Sequence, residues 1–454
     1  MSDQLTLEEL AGLSGEPPER LREWRSRGLI GDGDGAGLNL GDLERVRLIQ
    51  LCLRRGISLE TIAEADRTQG LISRYVQMIF PESLRRTYSF AEAAEIAGLD
   101  LSVARDMWTN SGLYAEQGDT LRDEDIEAFR AFKTYLDAGL PTNALAEGTR
   151  VFADSLARIA EMESKLFHFY VHERLKAEGM SGDELVQATE AAGEIARPLL
   201  EPTILYFHRK AWEKSVREDL VQHMAEEAGL LPPSEAPGEL TRAVLFIDLA
   251  SFTPLTEAMG DIRAARVLER FSAIVREATS GWDGRLVKQI GDAFMLVFQD
   301  ARSAVACALE IETQAAKEPQ FPAVRAGIHW GTVLYREGDY VGSNVNIASR
   351  LATDAGRHQV LVTAQVRKEA RDLPQVEFVR LGRRKLKGLS GSFELFEARA
   401  SGAPGAERAL DPVCGTELGP AEVAARLSLE GAERAFCSEA CLRKFVASPE
   451  AYSG

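Results

Sequence analysis

Two aspartates in this chain stand where carboxylates can do chemistry together. The run AVLFIDLASFTPLTE opens with an apolar, strand-like stretch, Ala243 to Ile247, and delivers Asp248 at its end. Further on, GRLVKQIGDAFMLVF holds two β-rich runs around Gly291-Asp292, the composition of a hairpin with the acid at its tip. Carboxylates at two strand tips can share a pair of divalent cations. Their oxygens are the donors Mg²⁺ prefers beside substrate phosphates, and paired cations can clamp the attacking and leaving oxygens of a phosphoryl transfer. In DYVGSNVNIASRL, Asn346 and Arg350 are four apart, which puts them on one helical face. A fixed guanidinium there can meet developing charge.

The elements that must position these groups follow from the pattern. A helix is expected from about Pro254 to Thr279, between the first aspartate and the hairpin. A second group lies near the C-terminus, where Cys414, Cys437 and Cys441 form C-x22-C-x3-C. Thiolates at that spacing suit Zn²⁺ or Cu⁺. The segment holds no histidine, so a fourth ligand is not evident. Cys52 and Cys307 fall in apolar helical runs and read as core residues.

FIDLASFT, KQIGD, RAGIHWG, DYVGSNVNIASR and RKLKG stand in an order and spacing that resembles class III nucleotidyl cyclase catalytic domains. The resemblance implies an α/β, ferredoxin-like fold: a mostly antiparallel sheet with helices packed on one face. It implies that Asp248 and Asp292 bind two Mg²⁺ or Mn²⁺, with the backbone carbonyl of Leu249 as a third contact. Lys288 and Asp339 match the positions that read the purine. A lysine donor and a carboxylate acceptor suit the adenine edge, whereas guanylyl cyclases typically carry glutamate and a small or cysteine residue. ATP is therefore the expected substrate, converted to 3′,5′-cyclic AMP and pyrophosphate by attack of the ribose 3′-oxygen. Asn346 would orient the ribose and Arg350 would stabilise the transition state. Arg325 and Lys387 would hold the β- and γ-phosphates, while His329 and Gly331 would shape a strand turn. In this family the acids and Arg325 come from one protomer and the remaining groups from the other, so a homodimer is implied. A diguanylate cyclase is set aside because DYVGSNVN has no counterpart there.

The whole chain, 454 residues with net charge −17, is too long for one domain. Residues 1–82 resemble a MerR-like winged helix-turn-helix, with a glycine-rich wing GDGDGAGLN, and 83–149 read as a second winged-helix-like copy at an offset of about 83 residues. Gly15 matches Gly98, Asp42 matches Asp125 and Gly56 matches Gly139. The second copy and the helices after it also resemble the regulatory domain of actinobacterial adenylyl cyclases. Residues 150–229 form a long helical regulatory or dimerisation region, with kinks expected at Pro198 and Pro202. His168 and His172 there have i, i+4 spacing, so a protonation switch stands beside a plain structural role. A linker at 230–239 leads into the catalytic domain at 240–399, and another at 400–409 into 410–454. That last segment resembles the small YHS module, treble-clef-like and related to TRASH domains. Its relatives often carry Met where this chain has Thr416.

Residues 1–60 contain eight arginines, no lysine and eleven acids, which disfavours nucleic acid as a partner. The net charge disfavours an anionic membrane, no apolar run is long enough to span one, and the acidic start MSDQLTLEELAG is not signal-like. A cytoplasmic, multidomain protein is expected, all-α in its N-terminal half. The competing reading is a non-enzymatic nucleotide-sensing or DNA-binding regulator with a cyclase-like domain. It would show loss of a metal aspartate or of the transition-state arginine, and neither is lost.

Overall fold

The computed structural model describes residues 5–31, 37–72, 76, 88–112, 121–231, 236–402, 409–419, 422–429 and 432–452. The chain forms two compact units, Met1–Arg217 and Glu218–Gly454.

The first unit is helical, and its opening repeats itself. α1 (Leu7–Ser14) starts at a Thr6/Glu9 capping box and stops at Gly15 in the left-handed region, φ 68°. α5 (Phe90–Ala97) starts at a Ser89/Glu92 box and stops at Gly98, φ 69°. Between these lie α2 (Pro18–Ser26), α3 (Leu40–Arg54) and α4 (Leu59–Gln69); after α5 come α6 (Leu101–Asn110) and α7 (Asp123–Asp137). The isolated bridge Leu5–Leu38 recurs as Tyr88–Leu121, so the offset seen in the residues is also an offset in the backbone. The two copies bury separate cores, one around Trp24 and Val46 and one around Phe90, Trp108 and Phe129. Arg122 of the second copy donates to Glu44 of the first at 2.9 Å. Most of the expected wing, residues 32–36, lies outside the described residues.

α8 (Thr142–Phe167) continues through a π-helical turn, His168–His172, into α9 (Glu173–Ala177). The rings of His168 and His172 stack there, centroids 5.5 Å apart. α10 (Gly182–Glu227) then runs as one helix through both Pro198 and Pro202. Among the described residues no helix is long and apolar enough to cross a membrane.

The second unit is built on one sheet of order β2-β3-β1-β4-β6-β8-β7 with β5 attached to β4. Its strands are β1 (Glu239–Leu249), β2 (Arg285–Ile290), β3 (Ala293–Phe298), β4 (Val324–Arg336), β5 (Asp339–Val341), β6 (Gln359–Thr363), β7 (Val376–Arg384) and β8 (Phe393–Ala400). Among the described residues, only β4 and β6 pair in parallel. The helices are α11 (Phe252–Met259), α12 (Asp261–Gly281), α13 (Ala301–Lys317), α14 (Ser343–Asp354) and α15 (Ala364–Glu369).

Two expectations are corrected here. The helix read as one run from Pro254 to Thr279 is two, α11 and α12, because Gly260 breaks it at φ 79°. Helices also cover both faces of the sheet. Ala243, Leu245 and Ile247 of β1 pack with Phe271 of α12 and Val305 of α13, whereas Val244 packs on the other side with Val345 and Ala348 of α14. β1 is apolar on both faces, and a strand of that kind needs two covers.

A small module follows: β9 (Ala409–Leu410), β10 (Glu417–Leu418), β11 (Ala425–Leu429), β12 (Ala432–Phe436) and α16 (Glu439–Ala447). Its core of Val413, Leu418, Phe436 and Phe445 also takes in Leu255 of α11.

Candidate active site

β1 ends at Leu249 in the centre of the sheet, and its antiparallel ladder with β4 sets Asp248 directly across from Arg325. Arg325 Nε donates to Asp248 Oδ1 at 2.6 Å and Nη2 to Oδ2 at 3.0 Å, a two-pronged ion pair. On the other side, β2 and β3 close a hairpin with Ile290 opposite Ala293, which leaves Gly291-Asp292 as the two-residue turn. Gly291 takes φ 63° there. Asp292 is half-buried, and the nearby backbone N–H of Leu249 favours its charged form.

The electrostatics of the three groups follow from this placement. Burial pushes the Asp248 carboxyl up, and Asp292 adds to that, while the hydrogen bond and charge of Arg325 pull it back. Burial likewise pushes Asp292 up against its backbone hydrogen bonds. The Asp248 hydrogen bond raises the Arg325 guanidinium. Two half-buried acids near one arginine leave an excess of negative charge beside open donor oxygens.

The expected purine readers also meet. Lys288, on β2, forms an ion pair with Asp339, which opens β5. Asn346 and Arg350 stand one turn apart on α14, both exposed. Lys387 is exposed in the loop between β7 and β8, and neighbouring Arg384 pairs with Asp354 at 3.5 Å. The packing beneath α14 is tight. Buried His329 bonds Thr363 Oγ1 at 2.9 Å and Asn344 Oδ1 at 3.0 Å, and Asn344 donates to the Thr332 carbonyl at 2.7 Å. Burial lowers the His329 pKa, so it serves as a neutral hydrogen-bonding wedge that seats the first turn of α14.

Comparison with known proteins accords with this geometry. The family described as adenylate and guanylate cyclase catalytic domain matches residues 238–397. The adenylate cyclase regulatory domain matches 34–208 and the YHS domain 409–454. An adenylate cyclase of Streptomyces coelicolor is 30% identical over 301 residues, 64% of this chain and 74% of that protein. The chain belongs to the class III adenylate cyclases. A Mycobacterium tuberculosis protein named pH-sensitive adenylate cyclase is 27% identical over 387 residues, 82% of this chain and 94% of the relative. Among solved structures, the adenylyl cyclase CyaB from P. aeruginosa aligns with 19% identity and TM-score 0.33 over 36% of this chain and 96% of that one.

This cyclase carries one group that the sequence reading missed. Asp411 is fully buried, and its carboxylate belongs to the thiol cluster: one ligand atom from each of Asp411, Cys414, Cys437 and Cys441 lies within 4.8 Å of the others. The sulfurs of Cys414 and Cys441 are each 3.6 Å from that of Cys437. Contacts with Cys414 and Cys437 lower the Cys441 thiol to about 4, and contacts with Cys414 and Cys441 push the Cys437 thiol up. The segment offers no histidine as a fourth ligand, but it does offer the aspartate that opens DPVCG. Thr416 is buried, and its Oγ1 lies 3.3 Å from Cys414 Sγ. Cys307 is a core residue as expected, pushed up to about 12 by burial, and Cys52 is half-buried.

Proposed function

We propose that the cyclase works as a homodimer whose two sites each draw on both copies, converting ATP to 3′,5′-cyclic AMP and pyrophosphate. The observation that carries this reading is the gathering of Asp248, Asp292 and Arg325 at one sheet end, with Asn346, Arg350 and Lys387 exposed on other elements. Asp248 and Asp292, with the carbonyl of Leu249, hold two Mg²⁺ or Mn²⁺. The donors are all oxygen and the local charge is negative, which fits hard cations. When bound, such cations supply acidification of the ribose 3′-hydroxyl and stabilisation of the departing pyrophosphate.

The chain's own residues do the rest. Arg325 turns from Asp248 to the β- and γ-phosphates, which Lys387 also holds. Lys288 donates to the adenine N1 and Asp339 accepts from the N6 amino group; guanine presents the opposite polarity. Asn346 orients the ribose so that its 3′-oxygen faces the α-phosphorus, and Arg350 meets the charge that develops there. No side chain is needed as the base.

The N-terminal repeats, in the MerR-like winged-helix reading, act as sensing or protein-interaction modules. Arg20 of α2 and Arg27 just after it are paired with Glu16 and Glu23, which leaves little charge for a phosphate backbone. Residues 150–229 serve regulation and dimerisation. Cys414, Cys437 and Cys441 bind Zn²⁺ or Cu⁺ in a treble-clef-like module.

Full-length protein assayed with ATP or GTP, in Mg²⁺ or Mn²⁺, tests the substrate. Turnover of ATP and not GTP is expected, lost in Asp292→Ala and Arg350→Ala with unchanged melting. Activity in either variant would sink the residue assignment.

A further inference from the structure

The C-terminal module does not hang free of the catalytic sheet. It grips the segment that leaves Asp248. α11 begins four residues after that aspartate, and Leu255, on its buried side, is 1% exposed within the core that also holds Val413, Cys414 and Phe436. Lys444 of α16 donates to the carbonyls of Glu257 and Ala258 at 3.1 and 2.7 Å, capping the far end of α11. At the near end Ser251 holds φ 67°, ψ 32°, a left-handed conformation costly for a residue with a Cβ. Gly415 sits against it so closely that a Cβ there would fall 2.6 Å from Ser251 Cβ.

One arginine joins these pieces. Arg357 donates to Ser251 Oγ at 3.0 Å, to Glu417 Oε1 at 3.1 Å, and to the carbonyl of Gly415. Next to it His358 lies between Glu312 of α13 and Glu417, at 2.9 and 2.7 Å. Gly415 and Glu417, the module's partners of Arg357 and His358, follow directly after Cys414.

Asp411 organises that turn. Its carboxylate accepts the N–H groups of Val413 and Cys437, both at 2.8 Å, and of Cys414 at 3.3 Å, and its backbone closes the turn onto Gly415 and Thr416. A carboxylate still has a lone pair free after three such bonds. Asp411 is fully buried and makes no ion pair among the described residues, so its charge is compensated only by hydrogen bonds. Ideal tetrahedral zinc–thiolate bonds place sulfurs about 3.8 Å apart, close to the 3.6 Å seen here. The spacing of these four groups suits a thiophilic cation.

We propose that the module is a cation-dependent brace for the catalytic aspartate: a thiophilic cation held by Cys414, Cys437, Cys441 and Asp411 fixes the 411–417 turn, which through Arg357 and Ser251 fixes the segment presenting Asp248. This rests on the reading of the three cysteines as a metal site. With the cation bound, three sulfurs and a carboxylate converge and the turn is rigid. Without it the sulfurs and the carboxylate lose their common partner, the turn loosens, and Arg357 loses its hold on the strained Ser251.

The test uses full-length protein stripped of thiol-bound metal and reloaded with Zn²⁺, or with Co²⁺ for spectroscopy, at fixed Mg²⁺. Stoichiometric loading should raise cyclase turnover roughly tenfold, raise the melting temperature, and with Co²⁺ give a tetrahedral, thiolate-rich spectrum. Asp411→Asn should weaken the affinity and alter the d–d bands, and Asp411→Cys should restore a four-ligand spectrum. Arg357→Ala should bind the cation but lose the rise in turnover. No binding by the native chain would remove the metal site itself. Binding without any change in turnover would remove the brace and leave the metal site standing. A response that survives Cys441→Ser would place the effect elsewhere and overturn the proposal, as would an Asp411→Asn spectrum identical to the native one.

Discussion

Arg325 stands opposite Asp248 in the β1–β4 ladder and grips both oxygens of its carboxylate, at 2.6 and 3.0 Å. Without substrate, the residue expected to hold phosphates and the residue expected to hold cations neutralise one another. Cations and the nucleotide can take over both halves of that pair together, which couples their binding. Arg325→Ala should therefore lower kcat/KM about 10²-fold, with a rise in KM for ATP and a loss of the dependence of ATP affinity on Mg²⁺. Steady-state kinetics across Mg²⁺ concentrations would show it. An unchanged KM would mean that Arg325 only holds Asp248 in place.

The pair of Lys288 and Asp339 makes the same point for the base. Donor and acceptor meet each other in the free chain and would separate to frame adenine. Reversing the polarity with Lys288→Glu and Asp339→Cys should cut the ATP-over-GTP ratio of kcat/KM at least about 100-fold, or roughly 2.7 kcal/mol. A double variant that keeps the native ratio would contradict the adenine assignment.

Much of this site was legible in the residues. The GD hairpin, the strand delivering Asp248 and the helix carrying Asn346 and Arg350 all depend on local pattern, and the structure forms each of them. What escaped was non-local or conformational. Gly260 breaks a helix whose apolar periodicity continues on both sides. Asp411 is an ordinary turn residue until folding brings Cys437 to its carboxylate. The link from Arg357 to Gly415 and Glu417 spans about 60 residues, and no spacing announces it.

His358 gives the module contact a pH signature. Hydrogen bonds donated to Glu312 and Glu417 raise it to about 9 against burial, with Arg357 beside it as the nearby opposing charge. A histidine raised above its unfolded value, about 6.5, contributes stability that is complete below that pH and lost as pH rises through about 9. Melting of the native chain and His358→Gln from acid to alkaline pH should show a gap that is wide at pH 6 and closes near pH 10, in keeping with the histidine raised to about 9. A gap independent of pH would remove the ion-pair account.

Gly327 lets β4 and α14 touch. A Cβ there would fall 2.1 Å from the Ala352 backbone nitrogen and 2.6 Å from the Ala348 carbonyl oxygen. Neither backbone atom can yield as a side chain would, so Gly327→Ala should cost about 1–3 kcal/mol or more and displace the helix bearing Asn346 and Arg350. Thermal melting with turnover checks it; a native melting temperature would show that the helix floats free of the sheet.

In the proposed homodimer each site is shared between two copies. Asp292→Ala and Arg350→Ala remove groups assigned to opposite protomers, so each homodimer should be inactive. Mixed after dissociation and reassociation, the two should form heterodimers with one fully native site. Activity should then return to about a quarter of the native level if copies pair at random. A mixture as inactive as its components, with heterodimers shown to be present, would contradict shared sites.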